Sequence, residues 1–115
     1  MRYKSYGDYW ETVEGIVCFR AVSLHNPWYE WLIFLHEIVE YILIKRAGIK
    51  IEDIDHYDME FEKNRKVDNH EDPGDSYQAP YHRQHQWAMS CERLMASMMR
   101  IRWSDYEKAL REIYG

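Results

Sequence analysis

Cysteine is scarce in this chain: two residues, Cys18 and Cys91, stand far apart in apolar surroundings. That excludes a disulfide framework and a thiolate metal knot, both of which need several cysteines at short spacing. It leads to the expectation of a reduced, cytoplasmic protein. Glycine and proline are few, with five and three residues, and no glycine-rich phosphate loop can be drawn from them. There is no Gly-x-Ser-x-Gly elbow and no cysteine with a neighbouring base, so nucleophilic catalysis has no support. Positive charge is in deficit: 15 Lys and Arg against 20 Asp and Glu leave a net charge of -5. A nucleic-acid or anionic-membrane surface wants a basic stripe, and neither partner is expected. No uncharged apolar run reaches the roughly 18 residues of a membrane span. The best stretch, Trp31 to Ile44, is broken by His36, Glu37 and Glu40. The first residues, Met-Arg-Tyr-Lys-Ser-Tyr-Gly-Asp, lack the apolar core of a signal peptide, which agrees with the cytoplasmic expectation.

What the chain does have is bulk. Apolar residues make up 46% of the 115 and aromatics 16%, with five Trp and ten Tyr. That is enough to build one core and argues against intrinsic disorder, so a single domain over residues 1–115 is expected. Residues 15–24, rich in β-branched and aromatic types, read as a strand. A lone strand needs a neighbour, either residues 2–10 or the edge of a second copy. Asn26-Pro27 reads as a helix start, and Gly48 after Lys45 and Arg46 as its stop. Ile51, Ile54, Asp58 and Phe61 keep a three-to-four spacing, predicting a shorter helix near 51–64. Residues 66–80, with two Pro, one Gly and several acidic side chains, form the main loop. A second long helix is predicted from about Tyr81 to Arg100. Ser104 with Glu107 three residues on forms a capping box for a last helix ending at Tyr114. The fold class is therefore mainly α: a small helical domain with two long packed helices, two shorter ones and an N-terminal strand or hairpin.

The chemistry lies on the two long helices. At about 100° per residue, Glu40 falls some 40° from His36, among Tyr29, Ile33, Leu43 and Ala47. Leu32, Leu35, Val39 and Ile42 continue the apolar arc on the other side, and Glu37 sits at its border. On the second helix His85 shares its face with Tyr81, Ala88, Met89, Glu92, Ala96 and Met99, with His82 at the edge. A buried charge without a partner costs several kcal/mol, so four such residues on two helices require one another or an ion. His36 and Glu40 at i, i+4 can point at one ion, and His85 from the facing helix completes two His and one Glu. Hydrolytic zinc sites use that set with a fourth position open for water. Glu37 is placed to accept a proton from that water as the catalytic base.

Several residues carry alternative readings. Glu92 is two turns from His85, too far to share its ion, and reads as a buried pair partner or as a ligand of a second ion. His82 is either an alternative ligand or a contact to the loop. Asp58, with Asp55, could reach the site, although surface carboxylates are commoner. Asp68, His70, Asp72 and Asp75 form an acidic loop whose spacing does not match a calcium site. Glu40 could instead pair with Arg46 or Arg100. Trp28 and Trp31 read as core, and the methionines as core filler or a soft interface patch.

His-Glu-Ile-Val-Glu at 36–40 resembles the HExxH motif of zincin metalloproteases, with Glu where the second His stands. The longer pattern over residues 28–107, comprising that run, Ala-Gly-Ile, Asp-Pro-Gly-Asp and Ala-Pro-Tyr-His-Arg-Gln-His, is similar to short proteins of phage and prophage genomes. That group implies no established activity. Two functions follow. One is a metal-binding domain, zinc first and magnesium or manganese as alternatives, acting as a hydrolase on a small molecule or peptide. The other is a non-catalytic helical interaction protein with buried His/Glu pairs. A third, less supported by the His content, is an all-helical nucleotide hydrolase holding magnesium through Glu37, Glu40, Asp55, Asp58 and Glu92. The unpaired strand and the methionines also point to a homodimer.

Overall fold

A computed structural model describes residues 5–66, 69 and 71–114. The order of elements is β1 (Gly7–Glu11), β2 (Val17–Ala21), α1 (Pro27–Ala47), α2 (Ile51–Lys63), a 3₁₀ turn (Pro73–Asp75), α3 (His82–Met98) and α4 (Trp103–Tyr114). The mainly helical class with an N-terminal hairpin is therefore observed. β1 and β2 pair antiparallel with Gly7 opposite Ala21, Tyr9 opposite Phe19 and Glu11 opposite Val17. The strand expected over 15–24 shortens to five residues. Gly15 and Ile16 belong to the connecting turn, which Thr12 closes by pairing its N–H with the Ile16 carbonyl at 2.9 Å. The strand's partner lies within the chain, inside the 2–10 segment and one residue past it; residues 2–4 lie outside the described residues.

α1 begins where its cap is best. The Asn26 carboxamide oxygen accepts from the Trp28 and Tyr29 N–H groups at 3.1 and 3.3 Å, and Pro27 occupies a position whose N–H would have had no partner. It ends in a left-handed residue, Gly48, after which the Ile49 N–H returns to the Ile44 carbonyl at 2.9 Å. α3 starts one residue after Tyr81 and ends at Met98, because Arg100 turns left-handed (φ 59°) and Ile101 N–H closes back on Ala96. α4 begins two residues earlier than the capping-box reading requires. The Arg102 carbonyl accepts from Asp105 and Tyr106, so Ser104 lies inside the first turn and is not the cap.

α1 and α3 pack side by side and antiparallel: Leu32 of α1 meets Ala96 near the end of α3, while Glu40 reaches His85 near its start. The hairpin packs on α1. One cluster of buried side chains joins Tyr9, Ile44, Ile51, Ile54, Ala79 and Tyr81. A second joins Leu32, Ile33, Ala96 and Tyr106. The helical faces thus bury one side of the α1/α3 pair under the hairpin, α2 and α4. The other side of the pair stays uncovered, and two expectations are corrected there. Trp28 and Trp31 are exposed (62% and 63%) rather than core, and so is Ile42 of the supposed apolar arc. The arc on α1 is wider than the core that covers it. Among the described residues no helix is long and apolar enough to cross a membrane.

Candidate metal centre

His36, Glu40 and His85 come together between the two long helices, each at most 7% exposed. Glu40 Oε2 lies 3.0 Å from His36 Nε2 and 3.0 Å from His85 Nδ1, and the two ring nitrogens are 3.1 Å apart. Three lone-pair atoms therefore form a nearly equilateral triangle. Ligands about 2.0–2.1 Å from a tetrahedral zinc stand roughly 3.3 Å apart, so an outward shift of about 0.3 Å per edge admits the ion. This buried group is close enough to hold a metal ion. Neither Arg46 nor Arg100 pairs with Glu40; two imidazoles and a tyrosine take that place.

Each of the three residues is held from behind. The far nitrogen of His36, Nδ1, meets Glu92 Oε1 at 2.7 Å, and the Tyr106 hydroxyl donates to the other oxygen of Glu92. The Tyr9 hydroxyl donates to Glu40 Oε1 at 2.8 Å, leaving Oε2 to face the imidazoles. His85 Nε2 lies 3.2 Å from Asp75 Oδ1 and 3.8 Å from Asp72 Oδ1. The approach to Asp75 is off the ring N–H direction, so the atom has charge neighbours but no formed hydrogen bond. Carboxylates behind ligating imidazoles fix tautomer and ring orientation, which is how metal sites are commonly tuned. Gly74 makes room for His85: a Cβ on residue 74 would stand 2.5 Å from the imidazole Cγ. The 3₁₀ turn can therefore press its backbone against the ring and bring Asp72 and Asp75 beside it.

The electrostatics follow from this packing. Burial alone would lower the His36 pKa, but the hydrogen bonds to Glu40 and Glu92 and the charges of Glu40 and Glu37 outweigh it and hold it well above the ordinary value. Burial likewise opposes charging of His85, yet Asp72, Asp75 and Glu40 push it up to about 10. Burial disfavours the Glu40 carboxylate, but the two imidazoles hold its pKa at about 2. Without a metal, protons on the two rings bind this carboxylate set together, and a divalent cation replaces them with the same sign of charge. Burial together with the Asp58 charge raises the Tyr81 hydroxyl, and burial together with Glu92 raises that of Tyr106; both stay protonated donors.

The remaining candidates fall around this centre. Glu37 is half-buried and lines a cleft of about 830 Å³ that also exposes His36, Glu40 and His85. Burial raises its pKa well above the carboxylate range, and the neighbouring Glu40 charge raises it further. It lies against β1, where a Cβ on Gly7 would stand 2.8 Å from its Oε1. Glu92 pairs with His36. His82 lies apart from the triangle, donating from Nδ1 to the Gly74 carbonyl at 2.9 Å. Asp58 is buried, lines the cleft and accepts from the Tyr81 hydroxyl at 2.6 Å. Asp55 lines the same cleft, at the α2 wall. Of the acidic loop, Asp72 and Asp75 are drawn to His85 rather than merely solvated, while Asp68 and His70 lie outside the described residues. Sequence reasoning missed Tyr9, Tyr81 and Tyr106, since nothing in the local pattern of a tyrosine says which distant carboxylate its hydroxyl will meet. The Asp-Pro-Gly-Asp run was the one available signal for the turn against His85, since such a turn lets backbone approach a ring closely. No family model, curated protein or solved structure matches this chain.

Proposed function

We propose that this domain binds one zinc ion through His36 Nε2, Glu40 Oε2 and His85 Nδ1 and acts as a metal-dependent hydrolase. The observation that carries the reading is the triangle itself: three ligand atoms 3.0–3.1 Å apart, with Glu92 and Tyr9 bonded to the far ends of His36 and Glu40 and the Asp72/Asp75 carboxylates beside that of His85. Two nitrogens and one oxygen suit zinc and disfavour magnesium, which prefers oxygen donors and keeps its waters. Bound zinc would supply Lewis acidity and acidify water at the open position.

The protein's own part is orientation and proton movement. Glu92 accepts a hydrogen bond from the His36 Nδ1–H, which leaves Nε2 with a lone pair toward the cleft. Tyr9 fixes the Glu40 carboxylate so that one oxygen faces inward. Glu37 stands at the cleft with its pKa raised by burial and by the Glu40 charge, which favours proton affinity there and supports the role of general base and then acid. The cleft's volume, about 830 Å³, falls in the range of small-molecule sites, so a small molecule or the end of a peptide is the substrate class it accommodates.

A second reading draws on one specific observation: the raised pKa values of His36 and His85 describe a self-sufficient network of imidazolium and carboxylate. In that case the chain is a helical binding protein whose buried ion pairs need no metal. Elemental analysis of untagged protein separates the two. One zinc per chain, lost in His36→Ala and in His85→Ala, supports the metal centre; protein that neither carries nor takes up stoichiometric zinc contradicts it.

A further inference from the structure

The uncovered side of the α1/α3 pair has no role in the metal centre. On α1 it presents Trp28, Trp31, Ile38 and Ile42, exposed by 39–63%, with Leu35 between them. On α3 it presents Trp87, Leu94 and Met98, exposed by 50–62%, beside Cys91 and Met95. At about 100° per residue the α1 group lies on one side of the helix within an arc of roughly 80°, and none of its members is charged. Because the helices run antiparallel, the α3 group falls on the same side of the pair. An apolar groove of about 360 Å³ lies on the pair, lined by Trp28, Trp31, Phe34, Leu35 and Ile38 of α1 and by Met95 and Met99 at the end of α3. No residue lines both this groove and the metal cleft.

We infer that this face is the interface of a homodimer in which α1 and α3 of two copies form a four-helix bundle. Area decides in favour of a protein partner of this size. With whole large side chains at about 150–250 Å² each, the exposed parts of the seven named residues amount to roughly 800 Å². A monomer's largest apolar patch is usually about 300–600 Å², whereas a standard interface buries about 800 Å² per partner. The chain is otherwise polar, with a mean hydropathy of -0.69, so this concentration of tryptophan, isoleucine, leucine and methionine is local. A second copy is the occupant that the shape fits. Two antiparallel helices with a groove between them offer ridges and a furrow, and a twofold axis sets the ridges of each copy into the furrow of the other. Charge stands only at its margins, with Arg83 over the Trp87 ring at 5.9 Å and Arg46 in the last turn of α1, so the centre of the face asks its partner for an apolar surface, which this chain carries.

The test uses untagged full-length chain in sedimentation equilibrium from about 1 to 100 µM, a range that brackets dissociation constants of ordinary dimers. The expected mass at the upper end is twice 14.1 kDa. Ile38→Glu with Trp31→Glu is expected to bring it to 14.1 kDa with unchanged helical circular dichroism and unchanged zinc content. Since that variant could fail to fold, tryptophan emission of the wild type is followed on dilution: quenching by iodide is expected to rise as Trp28, Trp31 and Trp87 become exposed. A wild type that stays monomeric at the highest concentration overturns the proposal and leaves the face to a different partner. A dimer that persists in the folded double variant overturns it as well, by placing the contact elsewhere.

Discussion

Raising the pH on protein with and without zinc separates protons from metal at the centre. In the chelated protein the His85 pKa is about 10, against about 6.5 for an unfolded ring. A raised imidazole pKa contributes stability that is fully present below the unfolded value and is lost as pH climbs toward the folded one. His36 is shifted in the same direction. Glu40, held at about 2, contributes above its unfolded value and is lost only in strong acid, so it stays constant through this window. Each pH unit is worth about 1.4 kcal/mol per group, so His85 alone accounts for roughly 3 kcal/mol between about pH 6.5 and 8.5. For a chain of this length that is a fall of about 10 °C in melting temperature. With zinc bound the two rings have already given up the protons on their ligating nitrogens. The loaded protein should therefore melt at a nearly constant temperature over the same window, and the gap between loaded and chelated curves should widen by about 10 °C. Differential scanning calorimetry at several pH values, with a strong chelator or with equimolar zinc, measures it. Superimposed curves at every pH would refute the metal centre. A chelated protein whose melting temperature is flat would refute the proton-filled network.

Three substitutions probe separate parts of the site. Glu92→Gln keeps the size of the side chain but weakens the acceptor behind His36, and zinc affinity by calorimetric titration should fall about 10- to 100-fold; an unchanged affinity means that Glu92 does not orient the ring. Gly74→Ala drives a methyl into the His85 imidazole, which must move. Overpacking of this kind costs about 1–3 kcal/mol, read as a lower melting temperature, and zinc binding should weaken with it; a variant as stable as wild type contradicts the tight seat of His85. Glu37→Gln should retain one zinc per chain while hydrolysis of a responsive ester or amide substrate drops about 10²- to 10⁴-fold. Full activity in that variant removes Glu37 from proton transfer.

How much of this was legible in the sequence depends on the range of the interaction. His36, Glu40 and His85 were readable because helical periodicity alone places each within an apolar arc, and buried charge demands company. The separation of Glu92 from His85 along α3 likewise set it apart from the ligand atoms, and it meets His36 across the helix pair. Tyr9 and Tyr106 were not readable: their hydroxyls meet carboxylates 31 and 14 residues away, a pairing that depends on how the hairpin and α4 dock. Trp28 and Trp31 were misread because hydrophobicity predicts burial against something without saying whether that something is the same chain. Ser104 fitted a cap by type and spacing, yet the turn at Arg100 and Ile101 starts α4 two residues earlier.

The most direct test is an anomalous diffraction experiment on crystals of zinc-loaded protein, recorded on both sides of the zinc absorption edge. The account predicts one strong anomalous peak per chain in the α1/α3 seam, about 2.0–2.2 Å from His36 Nε2, Glu40 Oε2 and His85 Nδ1. His36 should still meet Glu92 through Nδ1. A seam without a peak, or zinc bound only at surface carboxylates while His36, Glu40 and His85 keep their mutual contacts, would contradict it.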